Sequence, residues 1–149
     1  MIKHKGGCHC GEITFSTEYD PMLKGLCNCT RCRKIFGTVN AGVMFGEPEV
    51  EVSGELKKYT CIGGSGMPVH IYFCSECSCK IYGKPESFEG FIMMPIGVFD
   101  DPHKFSPTGE IFTNYKLEWL NCSSLKESFE EAAVQERIEM LMENLDQRQ

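Results

Sequence analysis

The sequence predicts a mainly β domain closed by one C-terminal α-helix. Short alternating or wholly apolar stretches recur along most of the chain and are punctuated by Gly, Pro, Asn and Asp. Only the last part carries apolar residues at helical spacing. The 149 residues suffice for one packed domain, and an apolar fraction of 42% with ten Phe marks a chain that builds a core.

Taken in order, residues 12–18 place Ile13 and Phe15 on one face and Thr14 and Ser16 on the other, which reads as a strand buried on one side. Comparable stretches at 39–45, 49–52, 69–73 and 91–98 are read as further strands. The run Gly63-Gly64-Ser65-Gly66 lacks the Gly-Lys-Ser/Thr of a phosphate loop and precedes a strand-like stretch, so a hairpin loop is expected. A helix is expected over 125–145. Ser124 and Glu127 have capping-box spacing, and Phe129, Ala133, Val134, Ile138, Leu141, Met142 and Leu145 form a stripe. That stripe is expected to pack on its own domain, the alternative being a docking surface for a protein partner.

The formal net charge is −6, and the densest basic stretch is Arg31, Arg33 and Lys34. Nucleic-acid binding rests on neutralising phosphates, so no such partner is expected. No run approaches the about 18 consecutive apolar residues of a membrane span, and the N-terminus shows no apolar signal core. A cytoplasmic, intracellular protein is expected.

The ten cysteines are far more than ordinary usage explains. Seven fall into three clusters: Cys8-His9-Cys10, Cys27-Asn28-Cys29-Thr30-Arg31-Cys32 and Cys74-Ser75-Glu76-Cys77. In a reducing compartment metal ligation accounts for them better than disulfides, and two thiols at i, i+2 on a strand share one face. Crowded thiolates repel unless a cation lies among them, and zinc accepts sulfur ligands at about 2.3 Å. Seven ligands divide most simply as four plus three, a closed site and one with an open position. Spacing leaves the pairing open, because Cys29/Cys32 with Cys74/Cys77 would also make a four-thiolate set. The usual ferredoxin spacings are absent, which disfavours an iron–sulfur cluster.

The segments Gly7-Cys8-His9-Cys10-Gly11-Glu12-Ile13-Thr14-Phe15, Cys27-Asn28-Cys29-Thr30-Arg31-Cys32-Arg33-Lys34, and Phe73-Cys74-Ser75-Glu76-Cys77 followed by Ile81-Tyr82 resemble the glutathione-dependent formaldehyde-activating family, which includes centromere protein V. Weaker similarity at 56–66 and 98–102 extends the resemblance over roughly 3–120. It implies an Mss4-like β-tent fold, so a zinc-binding β domain is expected over 1–120; the C-terminal amphipathic helix extension over 121–149, expected from its apolar stripe, lies outside the resemblance. It further implies two Zn²⁺ ions, a structural one on Cys8, Cys10, Cys74 and Cys77 and a catalytic one on Cys27, Cys29 and Cys32. The family usually has Gly directly after the last ligand. This chain has Ser78 and then Cys79, a departure at a point where glycine often supplies a positive-φ turn.

The chemistry implied is that of a carbon–sulfur lyase, S-(hydroxymethyl)glutathione synthase-like, in which a small thiol such as glutathione adds to formaldehyde or leaves it. Three thiolates leave a zinc site at about −1, which suits a soft thiol ligand better than water activation. Arg31, Arg33 and Lys34 are candidates for attracting an anionic thiol. No residue stands out as general acid or base. The rival is a non-catalytic zinc-stabilised module that binds a protein; a fourth protein ligand on Cys27, Cys29 and Cys32 would favour it. Cys61, Cys79 and Cys122 are expected to be simple thiols, His9 to point away from its neighbouring ligands, and Trp119 to lie in the core. His4, His70 and His103 show no partner in the sequence.

Overall fold

The computed structural model describes residues 1–148, so the last residue of the expected extension, at 149, lies outside the described residues. Eleven strands are found among them. A small antiparallel sheet joins β1 (His4–Gly7), β2 (Thr14–Thr17) and β5 (Val50–Ser53). The larger sheet comprises β3 (Leu23–Cys27), β4 (Asn40–Gly46), β6 (Leu56–Ile62), β7 (Pro68–Cys74), β8 (Lys80–Pro85), β9 (Phe91–Pro95), β10 (Gly109–Ile111) and β11 (Glu127–Ser128). Its order is β11-β10-β3-β4-β9-β8-β7-β6, antiparallel except where β10 pairs in parallel with β3 and β11. This is the mainly β architecture expected.

The two sheets enclose one core. Ile13 and Phe15 from β2 and its approach meet Val43 and Phe45 of β4, Ile92 and Met94 of β9, Ile81 of β8, and Phe99. The Phe15 and Phe99 rings meet edge to face at 5.0 Å, and an isolated bridge between Gly6 and Phe99 ties β1 to the segment that follows β9. A side chain at Gly6 would collide with the Val98 carbonyl, so this close approach requires glycine. Alternation along β4 turns Met44 to the opposite face, where it joins Met22, Phe88 and Leu141. Strand β4 is therefore buried on both sides, as its run of apolar residues requires.

The C-terminal helix, α2, spans Val134–Arg148 and starts later than the sequence suggests. Ser124 caps no helix; its hydroxyl donates to the Pro107 carbonyl, and Glu127 lies in β11. Pairing of this segment with β10 wins over the local capping signal. The stripe behaves as expected from Val134 onward: Leu141 is buried, with Val134, Ile138 and Leu145 packed around the same cluster, whereas Met142 is 51% exposed. The Asn144 amide donates to the Met22 carbonyl, fixing the helix to the start of β3.

A second helix, α1 (Thr30–Phe36), was not expected. Strands β1, β3, β6, β8, β10 and β11 were also not foreseen. The hairpin expected at Gly63 to Gly66 does join β6 to β7. Trp119 is 67% exposed, contrary to the core position expected, because 116–126 is irregular chain outside both apolar clusters.

Candidate metal centres

Cys8 directly follows β1, and a turn closed by the Gly11 amide on the Cys8 carbonyl brings Cys10 back beside it. The pair therefore lies in a tight turn and not along a strand. Cys74 is the last residue of β7, and the chain folds over it: the Ser78 amide donates to the Cys74 carbonyl at 3.0 Å, and Ser78 takes φ +64°. Amides of Glu76 and Cys77 donate to the Cys74 sulfur, and the Ile13 amide donates to that of Cys8. Such bonds favour the thiolate form that a metal requires.

The sulfurs of Cys8, Cys10, Cys74 and Cys77 all lie within 4.8 Å of one another. The Cys8–Cys10 and Cys10–Cys74 distances are 3.5 and 3.7 Å. Four sulfurs at about 2.3 Å from one tetrahedral zinc stand about 3.8 Å apart, so the set has the size of a zinc cage. Charge is unevenly shared. Burial raises the Cys8 thiol, yet the Ile13 amide and neighbouring thiols outweigh it and bring it down to about 6. Cys10 is relieved by the Glu12 amide but pushed up to about 12 by desolvation and by its neighbours.

The second cluster is built by the passage from β3 into α1. Cys27 ends the strand, Cys29 caps the helix by accepting the Cys32 amide at 3.2 Å, and Cys32 sits in the first turn. The three sulfurs lie within 4.8 Å of one another, and no fourth histidine, cysteine or carboxylate joins them among the described residues. The Cys27 and Cys32 thiols, donating to Cys29, hold it down to about 2, while Cys27 is pushed up to about 11 by Cys29, and Cys32 is raised further by Cys27 and then Cys29. Three crowded thiols, with Cys29 held toward the thiolate, form a donor set that a thiophilic dication fits.

Asn28, between two of these cysteines, is 3% exposed and is held from both ends. Its backbone amide and its side-chain Nδ2 both donate to the Ile111 carbonyl at 3.1 Å, and Nδ2 also donates to Glu110. Arg31 Nη2 lies 3.8 Å from the Cys32 sulfur. Burial opposes its charge, but Cys32, Cys29 and Cys27 hold the guanidinium above its ordinary range. Cys27, Cys32 and Arg31 open onto a cavity of about 170 Å³. The cavity lies beside the three-cysteine cluster, whose Cys29 and Cys32 are otherwise buried, whereas Cys10 of the four-cysteine cluster is exposed at the surface.

The other cysteines stand apart. Cys79 is partly buried, its sulfur donating to the Lys80 carbonyl; Cys122 meets the Ser124 hydroxyl; Cys61 on β6 belongs to neither cluster. His9 is exposed, while His4 and His70 find partners the sequence did not show, Asp20 and Thr60 respectively. Three functional candidates had no local signal: Asn28, Glu110, and Arg137 of α2, which also lines the cavity. Only the fold brings Glu110 and Arg137 to the cluster.

The family model described as "Glutathione-dependent formaldehyde-activating enzyme" matches residues 3–115. No curated protein sequence matches the chain. A crystal structure of a Rhodobacter sphaeroides protein, a structural-genomics target, is similar with a TM-score of 0.50 and 19% identity, over 84% of this chain and 98% of that one. At that identity the likeness concerns the fold, and the seven cysteines of the two clusters lie within residues 3–115 matched by the family model. The chain belongs to the glutathione-dependent formaldehyde-activating enzyme family.

Proposed function

We propose that this chain is a zinc-dependent carbon–sulfur lyase-type enzyme that forms or cleaves an S-hydroxymethyl adduct of glutathione or a related thiol. The supporting observation is the three-cysteine cluster, which gathers no fourth donor among the described residues and borders a cavity of about 170 Å³. Family membership supports a thiol-related, formaldehyde-activating role. In this reading Cys27, Cys29 and Cys32 hold the catalytic zinc, and Cys8, Cys10, Cys74 and Cys77 hold a structural one. When bound, the catalytic ion supplies a coordination position that suits a soft thiol and lowers that thiol's pKa.

The residues around it shape the reaction. The substrate sulfur places its lone pair on the aldehyde carbon, the carbonyl π pair moves to oxygen, and the proton lost from the thiol ends on that oxygen; cleavage is the reverse. Arg31, beside Cys32, offsets the negative charge of the thiolate set. The apolar side chains of Ile71, Met44 and Met93 line the cavity and limit water around the adduct. Glu110 and Asn28 hold the loop that carries Cys27 and Cys29.

Exchange NMR on an equilibrium mixture of formaldehyde and glutathione tests the reading. Zinc-loaded protein is expected to speed interconversion of free and S-hydroxymethyl glutathione beyond the spontaneous rate, and Cys29→Ser is expected to lose that gain. An exchange rate equal to that with metal-free protein would leave the chain as a zinc-stabilised binding module.

A further inference from the structure

Arg137 stands in the opening turn of α2, where the helix's own partial charge disfavours a cation. It is partly buried, and burial pushes its guanidinium below its ordinary range, with Cys27 drawing it back up and Arg31 pressing it down. Its position is nevertheless fixed. Nε donates to the Ala132 carbonyl at 2.8 Å, and the guanidinium carbon lies 4.8 Å from the centre of the Phe88 ring. Among the described residues no carboxylate lies within ion-pair distance of Arg137. The one buried acid of the cavity, Glu110, already accepts from Lys116, Ser128 and Asn28.

A held, poorly solvated cation lining a cavity whose one carboxylate is already taken up by other donors is an anion receptor in form. The rest of the lining is largely apolar, with Val69, Ile71, Met93, Phe112 and Phe129 around it. We propose that Arg137 is the carboxylate-binding residue of this cavity, and that the substrate carries a carboxylate on an apolar body beside its reacting sulfur. The proposal rests on the reading of the cavity as the substrate site. It places a specificity determinant on the C-terminal helix, beyond the family-matched residues 3–115.

Hexanoate and hexanamide, which share a chain and differ in charge, are the probes, used with the full-length zinc-loaded protein, Arg137→Gln and Arg137→Lys. Hexanoate is expected to bind wild type about tenfold tighter than hexanamide and to shift the Arg137 Nε–H resonance. In Arg137→Gln the preference should fall to about one, with hexanamide affinity unchanged, and Arg137→Lys should restore part of it. An equal preference in Arg137→Gln, or none in wild type, overturns the proposal. Should the variants fail to fold, the wild-type arm decides alone: hexanoate binding without a shift at Arg137, or no binding, overturns it. Formaldehyde exchange without a hexanoate preference removes this proposal and leaves the lyase reading, and the converse result does the opposite.

Discussion

Glu110 Oε2 accepts a hydrogen bond from Asn28 Nδ2 at 3.3 Å, joining β10 to the residue between Cys27 and Cys29. Both side chains are nearly inaccessible, at 4% and 3% exposed, and Glu110 Oε1 is held by Lys116 and Ser128 at 3.0 Å each. The cysteine loop is therefore positioned by a strand more than eighty residues away in sequence.

Removing this acid strands its partners. Glu110→Ala is expected to destabilise the fold by about 2–4 kcal/mol, measured by urea unfolding, because Lys116 and Asn28 lose a buried acceptor. Zinc at Cys27, Cys29 and Cys32 should also leave faster to a chelator. Wild-type stability together with a wild-type release rate would contradict the role given to Glu110.

Ser78 occupies a left-handed backbone position at φ +64°. Ser78→Gly is expected to stabilise the protein by about 1 kcal/mol, and a β-branched residue such as Val there to destabilise it by more. Thermal unfolding of both variants checks the order. A Gly variant less stable than wild type would mean that the turn after Cys77 is not strained.

Helix α2 is anchored by a few contacts. Leu141 is 2% exposed among Met22, Met44 and Phe88, so Leu141→Ala is expected to cost about 2–5 kcal/mol. Met142→Ala, at a site 51% exposed, should stay within about 0.5 kcal/mol. Equal effects by denaturant unfolding would show that the helix does not pack as described.

Asp20 holds the N-terminal strand through Lys3 at 2.8 Å and His4 at 2.9 Å, which keep its carboxyl below the ordinary range. A carboxyl more acidic in the folded state contributes stability above its unfolded pKa of about 3.9, lost as pH falls through the folded value. Asp20→Asn should therefore flatten the acid limb of the stability profile at pH below about 4. The pair is exposed, so the change is small. An unchanged limb would assign it to other groups.

Five of the strands were legible because Ile13/Phe15, Val50/Val52, Val69/Ile71 and Ile92/Met94 follow the two-residue period of a strand with one buried face, and Val43-Met44-Phe45 is the apolar run of a strand buried on both faces. β6 was not, since Lys57, Lys58 and Thr60 make it a polar edge strand. Helix α1 is seven residues long with a cysteine as its cap, too short for an apolar stripe. Ser124 and Glu127 misled because strand pairing, a non-local term, overrode the capping pattern. The cysteine clusters were visible as spacings, and their grouping came with the family resemblance. Glu110 and Arg137 were invisible because their roles arise only where β10 and α2 return to the first third of the chain.

Zinc counted per chain by native mass spectrometry, with and without glutathione, on wild type and Cys29→Ser, tests the central claim most directly. Wild type is expected to carry two zinc ions and to retain glutathione, and Cys29→Ser to carry one and retain none. Two ions in both proteins with no glutathione held, or no zinc in wild type, would contradict an open catalytic site beside a structural one.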